Sequence, residues 1–209
     1  HTPRKKSTVQ PEPPRVNLLV DIQAKLQAGK GSGYARWAKV FNLKQMAQTV
    51  NFLTEHQLLD YAELAEKAAA ATAHHNELSA QIKAAEKRIA EIAVLRTHII
   101  NYAKTRETYV AYRKAGYSKK FREEHEQEIL LHQAAKNAFD EMGVKKLPKV
   151  KDLQAEYAKL LEEKKKTYAE YRRSREEMRE LLTAKANVDR LLKMDEEQKK
   201  EQEKDHGQR

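Results

Sequence analysis

Residues 64–92, LAEKAAAATAHHNELSAQIKAAEKRIAEI, decide the fold. Leu64, Ala68, Ala71, His75, Leu78, Ile82, Ala85, Ile89 and Ile92 follow one another at alternating spacings of four and three. On a helix of about 3.6 residues per turn this keeps all nine on one narrow stripe, the heptad seam by which helices pack on each other. The seam continues less regularly through Ile99, Tyr102 and Tyr109, with neither proline nor glycine before Gly116. A helix over 61–115 is predicted.

A second heptad run follows Pro148. Leu153, Tyr157, Leu160, Tyr171, Met178, Leu181, Val188 and Leu192 hold its seam, with Lys164, Thr167, Ser174 and Lys185 as weak positions. Between the runs a shorter helix is predicted over 118–142, with Phe121, Ile129, Leu130 and Phe139 on its apolar side and Gly143 at its end. Each long helix has only a thin apolar stripe, so neither is stable alone. The resulting fold is all-α: a long antiparallel, coiled-coil-like hairpin over 60–193, with the 118–142 helix near its tip. An open rod that dimerises in trans uses the same seams, so a monomer and a coiled-coil dimer both remain open.

The N-terminal side reads differently. Residues 1–15 hold four prolines and four basic side chains and predict a flexible basic linker. Residues 16–59 predict a small helical corner. Leu18, Leu19, Ile22 and Leu26 share one face; Gly29, Gly31 and Gly33 stop that helix; Trp37 reads as a core anchor. Asn42 can cap the next helix, with Gln45 reciprocating and Phe41 stapling onto Met46. Leu43, Met46, Ala47, Val50 and Leu53 form its stripe. The signature recurs at Asp60 and Glu63, with Leu59 and Leu64 as the staple. The charged tail over 194–209 is expected to be disordered.

Composition limits the function. Of 209 residues 34% are charged, 40% hydrophobic, and the net charge is +10. With no cysteine, disulfides and thiolate metal sites are excluded, and the cytoplasm is the simplest compartment. No apolar run approaches the roughly 20 residues of a membrane span, so no membrane insertion is expected. No signal peptide is recognisable, and a chain opening on His1 reads as part of a longer protein. The eight histidines include no metal-binding spacing: His74 and His75 are adjacent, while His125 and His132 share a face without matching carboxylates. GKGSG, residues 29–33, lacks the Walker spacing, and no nucleophile elbow occurs. No catalytic residue, metal or cofactor is therefore expected, and the chain reads as non-enzymatic.

The positive charge is concentrated. Residues 1–50 hold nine basic side chains against two acids, and residues 96–122 hold eight against Glu107. Lys145, Lys146, Lys149 and Lys151 follow, and the hairpin would bring them to the same tip. Cations neutralise phosphates and rings stack on unpaired bases, so a mixture of the two suits nucleic acid. The candidate DNA contacts are Lys30, Arg36, Lys39 and Lys44 at the base. At the tip they are Arg106, Arg113, Lys114, Tyr117, Lys119, Lys120 and Lys146. Tyr102 and Tyr109 are also at seam spacing, leaving Tyr112 and Tyr117 as the expected exposed rings.

The stretches LLVDIQAKLQAGKGSGYARWAKVFNLKQMAQTVNFLTEH, residues 18–56, and AEKRIAEIAVLRTHIINYAKTRETYVAYRKAGYSKKF, residues 85–121, carry a resemblance. Over roughly residues 16–192 the chain resembles the C-terminal region of relaxase/mobilisation nuclease proteins encoded on conjugative elements of Gram-positive gut bacteria. In that family a separate N-terminal domain nicks DNA with a tyrosine and a histidine-bound metal. None of those motifs occurs here. The resemblance implies an accessory role in conjugative transfer: holding single-stranded or origin DNA, or, as a scaffold, docking a coupling protein or relaxosome partner.

Overall fold

The computed structural model describes Ile22, Ala35 and residues 43–207. The linker 1–15, the glycine turn, Trp37 and the Asn42 and Phe41 cap lie outside the described residues. Among the described residues 43–207, five helices follow in order: α1 (Leu43–Glu55), α2 (Tyr61–Lys114), α3 (Lys119–Glu124), α4 (Glu126–Glu141) and α5 (Val150–His206). The fold is all-α, and its two long helices, α2 and α5, form an antiparallel hairpin. The chain divides into two compact units, one ending at His75 and resuming at Arg173, the other spanning Asn76–Arg172.

In the first unit α1, the start of α2 and the 181–191 stretch of α5 share a core of Ile22, Met46, Leu53, Leu58, Leu64, Ala68, Leu181 and Val188. The turn that sets α1 against α2 is closed at both ends. Gln57 takes a positive φ of 53°. The Leu58 N–H then bonds the Leu53 carbonyl (2.9 Å) and the Gln57 N–H that of Thr54 (3.2 Å), which satisfies carbonyls the helix end would otherwise strand. Asp60 then caps α2, its Oδ1 accepting from the Glu63 N–H at 2.8 Å. The expected staple through Leu59 does not form. Leu59 is 50% exposed, whereas Leu58 is 1% exposed, because the closing motif pairs Leu58 with Leu53. Asp60→Ala is expected to cost about 1 kcal/mol, read as a lowered thermal midpoint.

Polar side chains fill the seam where its apolar residues run out. His75 and buried Ser174 share a hydrogen bond of 3.1 Å. The Tyr61 hydroxyl donates to Asp189 at 2.5 Å, and Lys185 reaches the other oxygen at 2.9 Å. Burial works against the Asp189 charge, yet these two donors together hold its carboxyl below the ordinary carboxylate range.

In the second unit α2 serves two partners in succession. Its earlier part pairs with α5. Arg88 grips Glu156 with two bonds of 2.7 and 3.2 Å, and Lys164 reaches Glu86 at 2.8 Å. Its later part pairs with α4, through Tyr102 on Phe139, Thr105 on His132, and Thr108 donating to Glu128. Where the partners change, Ile92, Leu95, Ala135, Phe139 and Leu153 form the core.

The helix expected over 118–142 is two helices. His125 leaves helical geometry at φ −126° and ends α3, and α4 starts after it. The break lets the Phe121 ring stack with Tyr112 at 6.0 Å while Ile129, His132, Ala135 and Phe139 turn inward. In that register Leu130 cannot face α2, and it is 48% exposed. Tyr157, expected in the seam, is 38% exposed. The tail read as disordered from 194 instead continues α5 to His206. Glutamate, lysine and glutamine favour helix, and no glycine intervenes before Gly207.

Candidate nucleic-acid interface

The basic tip is built by a helix end and a helix start placed back to back. α2 closes with the Tyr117 N–H on the Tyr112 carbonyl (3.0 Å) and the Gly116 N–H on that of Arg113 (3.1 Å). Gly116 is left-handed at φ +64°, as this closure requires, and Ser118 caps α3 by accepting from the Phe121 N–H at 3.5 Å. Arg113 and Lys114 in the last turn of α2 therefore stand five to nine residues from Lys119, Lys120 and Arg122. No acid occurs among residues 113–122. All five cations are exposed, and among the described residues only Lys119 shows an ion pair, a loose one to Glu123 at 3.9 Å.

Tyr117 continues this turn with its own positive φ of 60°. Its ring meets Tyr112 edge-on at 5.2 Å and still leaves 54% of the residue exposed. Tyr112, expected to be exposed, is 6% exposed. It packs between Tyr109, Phe121 and Tyr117, so it forms the floor on which Tyr117 rests. Arg106 is exposed two turns before Arg113 and lines a shallow groove of about 350 Å³ with Val110 and Lys114.

Other candidates fall elsewhere. Lys146 is exposed in the connection between α4 and α5, near the Leu153 core. From Leu95, in that core, to Lys114 the helix rises about 28 Å, so Lys146 does not join the tip. The expected union of 145–151 with the tip fails because α4 runs back along α2 before α5 begins. Lys44 is exposed on α1 in the first unit. Lys30, Arg36 and Lys39 lie outside the described residues.

Two features were not anticipated. Beneath the tip, His132 is 3% exposed and stacked between Tyr102 (4.5 Å) and Tyr109 (4.3 Å). The Thr105 hydroxyl donates to the Asn101 carbonyl at 2.7 Å, so its oxygen accepts from His132 Nδ1 at 3.0 Å. Burial first, and the Lys136 charge second, push the His132 imidazole below its ordinary value. The signal was present in the spacing of Tyr102, Thr105 and Tyr109, which share one helical face. In the first unit a groove of about 550 Å³ lies between α1 and α5, where Asn187 donates to Thr49 at 3.1 Å. Glu55, Glu176 and Glu180 outnumber Arg179 along it, which disfavours phosphate.

Among the described residues no cluster of three or more His, Asp or Glu side chains could hold a metal, and no helix is long and apolar enough to cross a membrane. No family model, curated protein or solved structure matches the chain.

Proposed function

We propose that this chain is a non-catalytic region of a conjugative relaxase that holds DNA by its phosphate backbone, largely without sequence preference, at the turn after α2. Tyr117 carries the reading. A left-handed backbone costs a residue with a side chain roughly 1–2 kcal/mol, and glycine would sit there more cheaply. A ring kept at that cost, 54% exposed and set among Arg113, Lys114, Lys119, Lys120 and Arg122, suits a strand whose bases are free to stack. The resemblance adds the setting, DNA transfer in the cytoplasm. It also supplies the alternative of a scaffold for a coupling protein, which the exposed Leu130 and Leu131 on α4 favour.

Fluorescence anisotropy with labelled single- and double-stranded DNA over a salt series tests the proposal. Five engaged cations predict a log–log salt slope of about −3.5 for single strands. Tyr117→Gly should weaken single-strand binding about tenfold, spare duplex binding and leave the fold at least as stable. Absence of binding at low salt, or an unchanged single-strand affinity in the glycine variant, would sink it.

A further inference from the structure

Two helix faces of the second unit remain uncovered, and they are opposite in charge. On α4 the outward face carries Leu130 (48% exposed), Leu131 (45%) and Ala134, with Glu126 and Glu141 at its ends. Its one lysine, Lys136, lies on the far side by helical angle. On α5, Tyr157 (38% exposed), Leu161 (43%) and Tyr168 (47%) fall within about 40° of one another. Lys164, Lys165 and Arg172 share that face, and every carboxylate from Glu156 to Glu170 falls off it by the same angles. Lys164 is already paired with Glu86, and Arg172 lies 5.5 Å from the Tyr168 ring centroid. The stripe is thus apolar and cationic, and the α4 face apolar and anionic.

Their positions along α2 make them mutually reachable in a pair of molecules. α4 lies on α2 from Tyr102 to Thr108, and α5 lies on it from Glu86 to Arg88. Exposed Leu147 (37%) stands in the connection between them. A two-fold axis near that connection would set α4 of each copy against the α5 stripe of the other.

We propose that the chain pairs with a second copy of itself, antiparallel, through the α4 face of one molecule and the Tyr157–Leu161–Tyr168 stripe of the other. Charge complementarity selects a second copy as the occupant: the acidic amphipathic helix that this cationic stripe would recognise is supplied by the same chain. A two-fold arrangement makes both contacts at once, as a closed interface requires. Each face offers only a few large side chains, fewer than the roughly 20–30 residues a side of a standard stable interface. The pair is therefore expected to be weak and reversible, with dissociation in the micromolar range. This inference does not depend on DNA binding.

Sedimentation equilibrium on the 209-residue chain tests it with two variants. Lys165→Glu/Arg172→Glu makes both faces acidic, and Glu126→Lys/Glu141→Lys makes both basic. Native chain should pass from one chain mass to two as concentration rises, and each variant alone should stay at one. An equimolar mixture of the variants should recover the doubled mass, since both contacts then join unlike charges. All four substitutions are at exposed positions, so helical circular dichroism should be unchanged. A native chain of single mass at every concentration overturns the proposal. So does a dimer that either variant leaves intact, or a mixture that fails to associate.

Discussion

Replacing Arg113, Lys114, Lys119 and Lys120 together by glutamate is expected to lower single-stranded DNA affinity about 100- to 1,000-fold at about 0.1 M salt. The size follows from counterion release. Each phosphate neutralised on a single strand adds about 0.7 to the log–log salt slope, which is about fivefold in affinity at that salt. Four such contacts multiply to roughly 600-fold, and the slope should flatten by about three. Arg113 and Lys114 also occupy the last turn of α2, where the helix dipole favours cations. A parallel glutamine variant removes the charge without reversing it against that dipole, and it should lose most of the same affinity. The control is Lys145→Glu/Lys146→Glu, beyond the far end of α4, a helix of 16 residues that rises about 24 Å. Binding there should stay within about twofold. Equal losses from the two sets would mean that net charge, not the tip, holds the DNA.

The tip also shows what a linear pattern conveys and what it hides. The seam from Leu64 to Ile92 was legible because a two-helix contact is periodic, and Leu64, Ala68, Leu78 and Ile92 are buried accordingly. The closures of α2 and α4 were legible at Gly116 and Gly143, since only a left-handed backbone completes that hydrogen-bond pair cheaply. The third closure uses Gln57, which no composition rule marks, and it moved the buried leucine from Leu59 to Leu58.

Change of partner was the harder feature. α2 keeps one continuous helix while its neighbour changes from α5 to α4, and nothing in its own periodicity records this. The break at His125 follows from that exchange, because α3 must turn Phe121 onto Tyr112 before α4 can run back along α2. Hence the basic residues of 113–122, local in sequence, fall at one turn, while Lys146, joined to them only through a topology, does not. Tyr112 illustrates the same limit. It lies off the seam spacing of Tyr102 and Tyr109 and was expected to be exposed, but the turn folds Phe121 and Tyr117 over it.

His132→Ala should destabilise the second unit by about 3 kcal/mol, read as a lower urea midpoint, because it empties the slot between two stacked tyrosines. Titration of the native residue should act in the same direction. The folded imidazole is held below the ordinary value of about 6.5 by burial, aided by Lys136 on its own helix. From α2 it meets Tyr102, Thr105 and Tyr109, none of them a carboxylate. The hydrogen bond to the Tyr102 backbone favours the charged form but is outweighed by burial and Lys136. In the unfolded chain the ring protonates near its ordinary value, whereas in the folded chain it resists. Stability from this group is therefore complete above about pH 6.5 and declines as the pH falls below it, by at most about 1.4 kcal/mol per pH unit. His132→Phe separates the charge from the packing. It keeps a ring between Tyr102 and Tyr109, and the Thr105 hydroxyl still donates to Asn101. Between pH 7.5 and 5.5 the native chain should lose more stability than the phenylalanine variant, the difference being the proton's contribution. Identical losses would show that His132 takes up its proton as readily in the folded chain as in the unfolded one and that the acid sensitivity arises elsewhere.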